Sequence, residues 1–188
     1  VTGGAAGIGA GITRKLIELG AAIVVVDLNE DAGKALEKEF PEKLAFIKGD
    51  VSKVETAELA VETAVSKFGK LTGLVNNAHA SRQNSLLENT KALQFMLAAY
   101  PELKKTGGAI VNFGFGAALS GSAFQASYAA AKEAIRGLSR VVATEWAADN
   151  IRVNVVCPLA LTAGVEKWKE NFPEDYNHVV EKIPLGRF

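Results

Sequence analysis

Tyr128 and Lys132 stand four positions apart in Tyr128-Ala129-Ala130-Ala131-Lys132, a spacing that puts both side chains on one face of a helix. An ammonium beside a phenol favours the phenolate and draws Tyr128 below its ordinary pKa of about 10. The pair would then serve as a general acid/base for moving a hydroxyl proton. The same spacing recurs at Tyr100 and Lys104, so it does not select a site by itself. Context separates the two. Tyr128 opens a helix that follows a strand ending at Phe113, whereas Tyr100 precedes Pro101 near a helix end, away from the ligand edge.

The second chemical feature is the opening stretch, Val1-Thr2-Gly3-Gly4-Ala5-Ala6-Gly7-Ile8-Gly9. It runs into a helical pattern over 8–19, and an apolar run over 21–26 then ends at Asp27. Glycines at a strand-to-helix turn admit backbone dihedrals that side chains forbid and let a ligand approach closely. The N–H groups of the first helical turn favour an anion, and the natural occupant is a dinucleotide pyrophosphate. Gly3, Ala6, Gly7, Ile8 and Gly9 are therefore expected to bind cofactor. Their spacing is not G-x-G-x-x-G, since position 12 is Ile12, and a structural βα turn remains an alternative. Asp27 lies where a carboxylate holds the adenosine ribose hydroxyls; otherwise it caps the helix starting near Asn29. A carboxylate there repels a 2′-phosphate, and Leu28 and Asn29 bring no cation, so NAD is expected rather than NADP.

Helical spacing over 30–40, 54–68, 89–105 and 127–148 alternates with apolar runs over 44–47, 72–75, 109–113 and 151–157. Such alternation predicts βαβ units, hence an α/β fold: a doubly wound, Rossmann-like, mostly parallel sheet with helices on both faces. Ligands on such sheets bind beyond the carboxyl ends of the strands. Those ends are the 3–9 turn, Asp27, Asp50-Val51, 76–79, 114–116 and 158–162.

Composition narrows the function classes. With 188 residues, 48% hydrophobic, the chain suits one domain over 1–188 with a sizeable core. Its formal net charge of +0 and the absence of like-charge blocks argue against nucleic acid and anionic membranes as partners. One cysteine, Cys157, excludes an internal disulfide framework and fits a reducing compartment; within its apolar run it is expected to be buried. There is no apolar stretch of membrane-spanning length. A cytoplasmic domain without a metal site is expected.

In order along the chain, Thr2-Gly3-Gly4-Ala5-Ala6-Gly7-Ile8-Gly9, Asp50-Val51, Asn76-Asn77-Ala78, Asn89, Tyr128 with Lys132, and 152–158 resemble the motifs of the short-chain dehydrogenase/reductase family. The resemblance implies an NAD-dependent dehydrogenase/reductase acting on a small-molecule alcohol or ketone. It implies that Asp50 and Val51 contact adenine and that Asn77, Ala78 and Pro158 border the cofactor. It also implies that Lys132 touches the nicotinamide ribose, that Asn89 holds a water in a proton relay, and that the chain forms a homo-oligomer, a tetramer or dimer, through the helices at 89–105 and 127–148.

Departures from the family pattern are informative. The family's serine thirteen positions before the tyrosine is Phe115 here, which favours a catalytically impaired or inactive NAD-binding homologue as the alternative. His79 replaces a glycine, either as a loop residue or as a substitute donor; Ser120, Ser122 and Ser127 are weaker candidates. Phe115, Leu119 and Trp168 suggest an apolar substrate pocket. Leu159 replaces a glycine after Pro158, and the stretch between Ala80 and Asn89 is short for the family. Residues 159–183 are expected to form a substrate flap or, alternatively, a surface helical hairpin. The family pattern also implies that the chain is clipped at both ends. NADP-linked acyl-carrier ketoreductase activity is a third possibility, disfavoured by Asp27.

Overall fold

The computed structural model of the protein describes residues 1–79, 86–121 and 125–188. Alternating strands and helices follow in the order α1 (Gly7–Glu18), β1 (Ile23–Asp27), α2 (Glu30–Glu39), β2 (Leu44–Lys48), α3 (Val54–Phe68), β3 (Gly73–Asn76), α4 (Leu86–Thr106) and β4 (Gly108–Phe113). Then come α5 (Gly116–Ser120), α6 (Ala126–Glu145), β5 (Ile151–Val156), α7 (Ala163–Asn171) and α8 (Pro173–Glu181). No helix among the described residues is long and apolar enough to cross a membrane.

All strand pairings are parallel. β1 pairs with β2, with Val25 opposite Phe46; β3 pairs with β4, and β4 with β5. Residues 1–3 join the two groups. Thr2 bridges Val26 on one side and Asn76 on the other, Gly3 N–H donates to the Val26 carbonyl (2.7 Å), and Thr2 N–H donates to that of Val75 (3.0 Å). The order across the sheet is therefore β2, β1, residues 1–3, β3, β4, β5. Chain direction across the sheet reverses beside residues 1–3, and there the carboxyl ends of the strands leave a crevice.

The alternation of β1 explains the layers. Ile23 and Val25 face a cluster with Ala5, Ile17 of α1, Leu36 of α2 and Leu44. Val26 faces the opposite cluster, built from Ala57, Ala60, Phe95, Met96, Ala99, Ile110, Val142 and Trp146, which packs α3, α4 and α6 onto the sheet. Period-two side chains on strands that are apolar on both faces produce this three-layer arrangement. The α4 helix continues through Pro101 to Thr106.

Contacts divide the described chain into two compact units, Val1–Cys157 and Pro158–Phe188. In the second, Trp168 meets Tyr176 edge-on at 5.7 Å and Tyr176 stacks on Phe188 at 5.5 Å. Two helices joined at Phe172 carry Trp168 and Tyr176, a helical hairpin of the kind allowed for 159–183. The expectation that Cys157 is buried is incorrect: it is an exposed cysteine that lies just past the end of β5.

Candidate active site

The glycine turn is held from below by side chains. Thr2 Oγ1 accepts from Asn77 N–H (3.1 Å) and Ala78 N–H (3.0 Å). Asn77 Nδ2 donates to the carbonyls of Thr2 and Gly3, both at 3.0 Å. Gly3 and Gly7 have φ of 62° and 52°, left-handed values that favour glycine. A Cβ on Gly9 would lie 1.9 Å from the Gly3 carbonyl oxygen, while one on Gly7 would meet nothing within 4 Å. The chain thus crosses itself closely at Gly9 and leaves Gly7 open. Helix α1 starts at this turn with Ala6 as an N-cap that makes no side-chain capping bond, and with no acidic residue in its first turn. Ala6 and Gly7 are exposed and Ile8 half-buried.

Asp27 closes the turn from the β1 side. Its Oδ2 accepts from Ala5 N–H and its Oδ1 from Asn29 N–H, both at 3.0 Å. It does not cap α2; Asn29 does, accepting from Ala32 N–H at 3.1 Å. Asp50 Oδ1 accepts from Ser52 N–H at 2.8 Å. The Ser52 backbone bond, then its side chain, hold the Asp50 carboxyl below its ordinary value.

Tyr128 and Lys132 lie on the same face of α6, with Lys132 Nζ 5.6 Å from the phenol ring centroid. Lys132 is buried and donates to the Phe113 carbonyl at 3.1 Å, which draws its ammonium to the carboxyl end of β4. Phe115 presents an edge-on contact to Tyr128 at 4.7 Å, and the His79 ring lies 5.0 Å from it. A cavity of about 20 Å³ is lined by Thr2, Val51, Asn76, Ala78, Lys91, Ala92, Phe95, Lys132 and Ile135, so Lys132, Val51 and the strand ends share one small space. Residues 77–79 connect the halves of the site: Asn77 and Ala78 tie to the glycine turn, and His79 reaches the phenol.

The other Tyr-x-x-x-Lys pair is occupied elsewhere. Tyr100 hydroxyl donates to Asp149 Oδ2 (2.7 Å), Lys104 pairs with Asp149 at 3.2 Å, and Tyr100 packs on Trp146 at 4.5 Å. This cluster ties α4 to the turn before β5. A larger cavity of about 360 Å³ opens at the amino ends of β1 and β3, between 21–24 and 70–73. Its lining is mainly apolar and holds no acid/base pair, and it lies at the strand ends opposite the site.

Leu119 is exposed, as is Ser127. Pro158 and Leu159 are exposed at the start of the second unit. Asn89 falls within the α4 backbone, but its side chain, like that of Ser120, lies outside the described residues, as does Ser122. Two polar features escaped sequence reasoning. One is the Thr2 hydroxyl. The other is a buried chain in which Asn76 donates to Asn112 Oδ1 (2.9 Å), Asn112 to Ser139 Oγ (2.9 Å) and Ser139 to the Ile135 carbonyl (2.7 Å). Its signal was a lone asparagine inside the apolar run 109–113.

Comparison with known proteins places this geometry among relatives. A family model described as enoyl-(acyl carrier protein) reductase matches residues 3–188. The chain is 42% identical to 12alpha-hydroxysteroid dehydrogenase of Clostridium sp., covering 100% of this chain and 82% of that protein. It is 34% identical to trans-4-hydroxycyclohexanecarboxylate dehydrogenase of Sinomonas cyclohexanicum, covering 100% of this chain and 78% of that one. The crystal structure of Cj0485 dehydrogenase superposes with a TM-score of 0.89 at 31% identity, over 100% of this chain and 79% of the other.

Proposed function

The chain belongs to the short-chain dehydrogenase/reductase family, and from that premise we propose that it is an NAD(H)-dependent oxidoreductase interconverting a secondary alcohol and a ketone. The observation that carries this is the Tyr128–Lys132 pair, brought to the glycine turn by residues 77–79. The residues fit a dinucleotide. Gly7 leaves open space over a helix start without a competing carboxylate, and Asp27 supplies a carboxylate beside the turn that accepts ribose hydroxyls and repels a 2′-phosphate. Gly3, Ala6, Ile8, Gly9, Asp50, Val51, Ala78 and Pro158 complete the proposed binding residues, and Asn77 acts by holding the turn in shape.

A dinucleotide held at these residues would supply the hydride acceptor for oxidation of the carbinol carbon and the hydride donor for reduction of the ketone. In the oxidative direction the Tyr128 phenolate takes the hydroxyl proton, and the oxygen's electrons form the carbonyl bond. In reduction the Tyr128 hydroxyl donates that proton back. Lys132, anchored by the Phe113 carbonyl, places a positive charge beside the phenol and favours its ionised form. Asn89 is the proposed relay residue. The two named relatives act on ring-borne alcohols by their names. The apolar side chains of Phe115 and Leu119 suit such a substrate, so a cyclic secondary alcohol is the proposed class.

A second possibility is a dinucleotide-binding homologue with little turnover, favoured by Phe115, which gives the substrate oxygen no donor. Titration with NAD and NADP, combined with hydroxysteroids and hydroxycyclohexane carboxylates, separates the two. Both bind NAD in preference to NADP; only the oxidoreductase reduces it. Failure to bind either dinucleotide would overturn both. The homo-oligomer is proposed to form through α4 and α6, where Leu97 and Val141 are exposed; a monomer in light scattering would refute this.

A further inference from the structure

On the oxidoreductase reading, we propose that His79 is a catalytic residue: its imidazole N–H donates the second hydrogen bond to the substrate oxygen that Tyr128 serves. Two aromatic side chains meet the Tyr128 ring among the described residues, Phe115 at 4.7 Å and His79 at 5.0 Å. Phe115 has nothing to donate. Lys132, a polar neighbour of the ring, donates from Nζ to the Phe113 carbonyl and is buried. His79 is exposed and lies beside the phenol ring.

The chemistry at this position calls for a donor. When hydride reaches the ketone carbon, the carbonyl π electrons move onto oxygen, and Tyr128 alone would have to meet that charge before its proton arrives. A pre-positioned N–H directed at a developing oxyanion contributes about 10²–10³ in rate. Imidazole carries an N–H in both neutral tautomers and in its protonated form. His79 donates when the nitrogen turned toward the substrate oxygen carries the proton, and it transfers no proton, so the balance of the reaction is unchanged.

The backbone before the imidazole is anchored. Asn77 and Ala78, immediately before it, donate their N–H groups to Thr2 Oγ1, and the Asn77 amide is fixed to the glycine turn. The backbone leading to His79 is thus held by the same bonds that shape the proposed cofactor turn.

The test compares H79A, H79Q, and the double variant H79A/F115S in steady-state oxidation of a cyclic secondary alcohol, with NAD affinity measured by titration. H79A is expected to lower kcat by about 10²-fold with little change in KM, as for a bond made only in the transition state. H79Q keeps an N–H donor and should regain part of that loss. H79A/F115S supplies a hydroxyl at position 115 and should regain more than F115S alone adds to the unaltered chain. A merely structural histidine would weaken NAD binding or stability and would not be rescued by a distant hydroxyl. Unchanged kcat in H79A, with turnover still abolished in Y128F, overturns the role of His79 alone. A chain that binds NAD and turns over no alcohol overturns the oxidoreductase reading together with it.

Discussion

At the scale of single residues, the site turns on what surrounds the Tyr128 ring. Phe115 covers one side of it without a polar group. F115S is expected to raise kcat toward cyclic alcohols by up to about 10²-fold, the scale of one restored donor; no gain in steady-state rate would show that the pocket limits turnover elsewhere. Asp27 has two tasks at once. Its oxygens satisfy Ala5 and Asn29 N–H, so D27A should cost about 2 kcal/mol in stability by denaturation and narrow the proposed preference for NAD over NADP. Retained discrimination in dinucleotide titration would assign the preference to another residue. The Tyr128–Lys132 face and the glycines were legible in sequence because helical spacing and left-handed turns are local properties. Thr2 was not: its hydroxyl meets residues 75 and 76 positions away, and nothing nearby announces that. Cys157 was misjudged for a related reason, since an apolar run does not mark the residue at which its strand ends.

At the scale of elements, alternating patterns located nearly every strand and helix, because strands buried on both faces read as continuous apolar runs. The short α5 after β4 carries no such pattern and was missed. Among these elements the β-turn-α1 connection is the most constrained. G9A would force a methyl group to within 1.9 Å of the Gly3 carbonyl; it should destabilise the fold by about 1–3 kcal/mol and weaken NAD binding together with it. Normal binding by G9A would mean that the turn is not the phosphate seat. The α4 end is secured differently. Tyr100 hydroxyl, then Lys104, hold the Asp149 carboxyl below its ordinary 3.8. Its folded value is depressed, so that contribution is present above 3.8 and is lost as pH falls through the folded value. Y100F should flatten this part of the acid limb in melting temperature against pH while leaving turnover intact. An unchanged limb would dismiss the tie as a stabilising one.

At the scale of the whole molecule, the sheet is joined through its centre by residues 1–3. The same central segment carries Thr2 and Gly3, so the integrity of the sheet and the shape of the site are coupled.

The central claim is that Tyr128, beside Lys132, moves the proton in an NAD-linked alcohol oxidation. Its most direct test is the turnover of Y128F on a cyclic secondary alcohol, measured together with the NAD dissociation constant. Loss of kcat by about 10²–10⁴-fold with NAD affinity preserved is the predicted result. A Y128F variant that oxidises the alcohol as fast as the unaltered chain would contradict it.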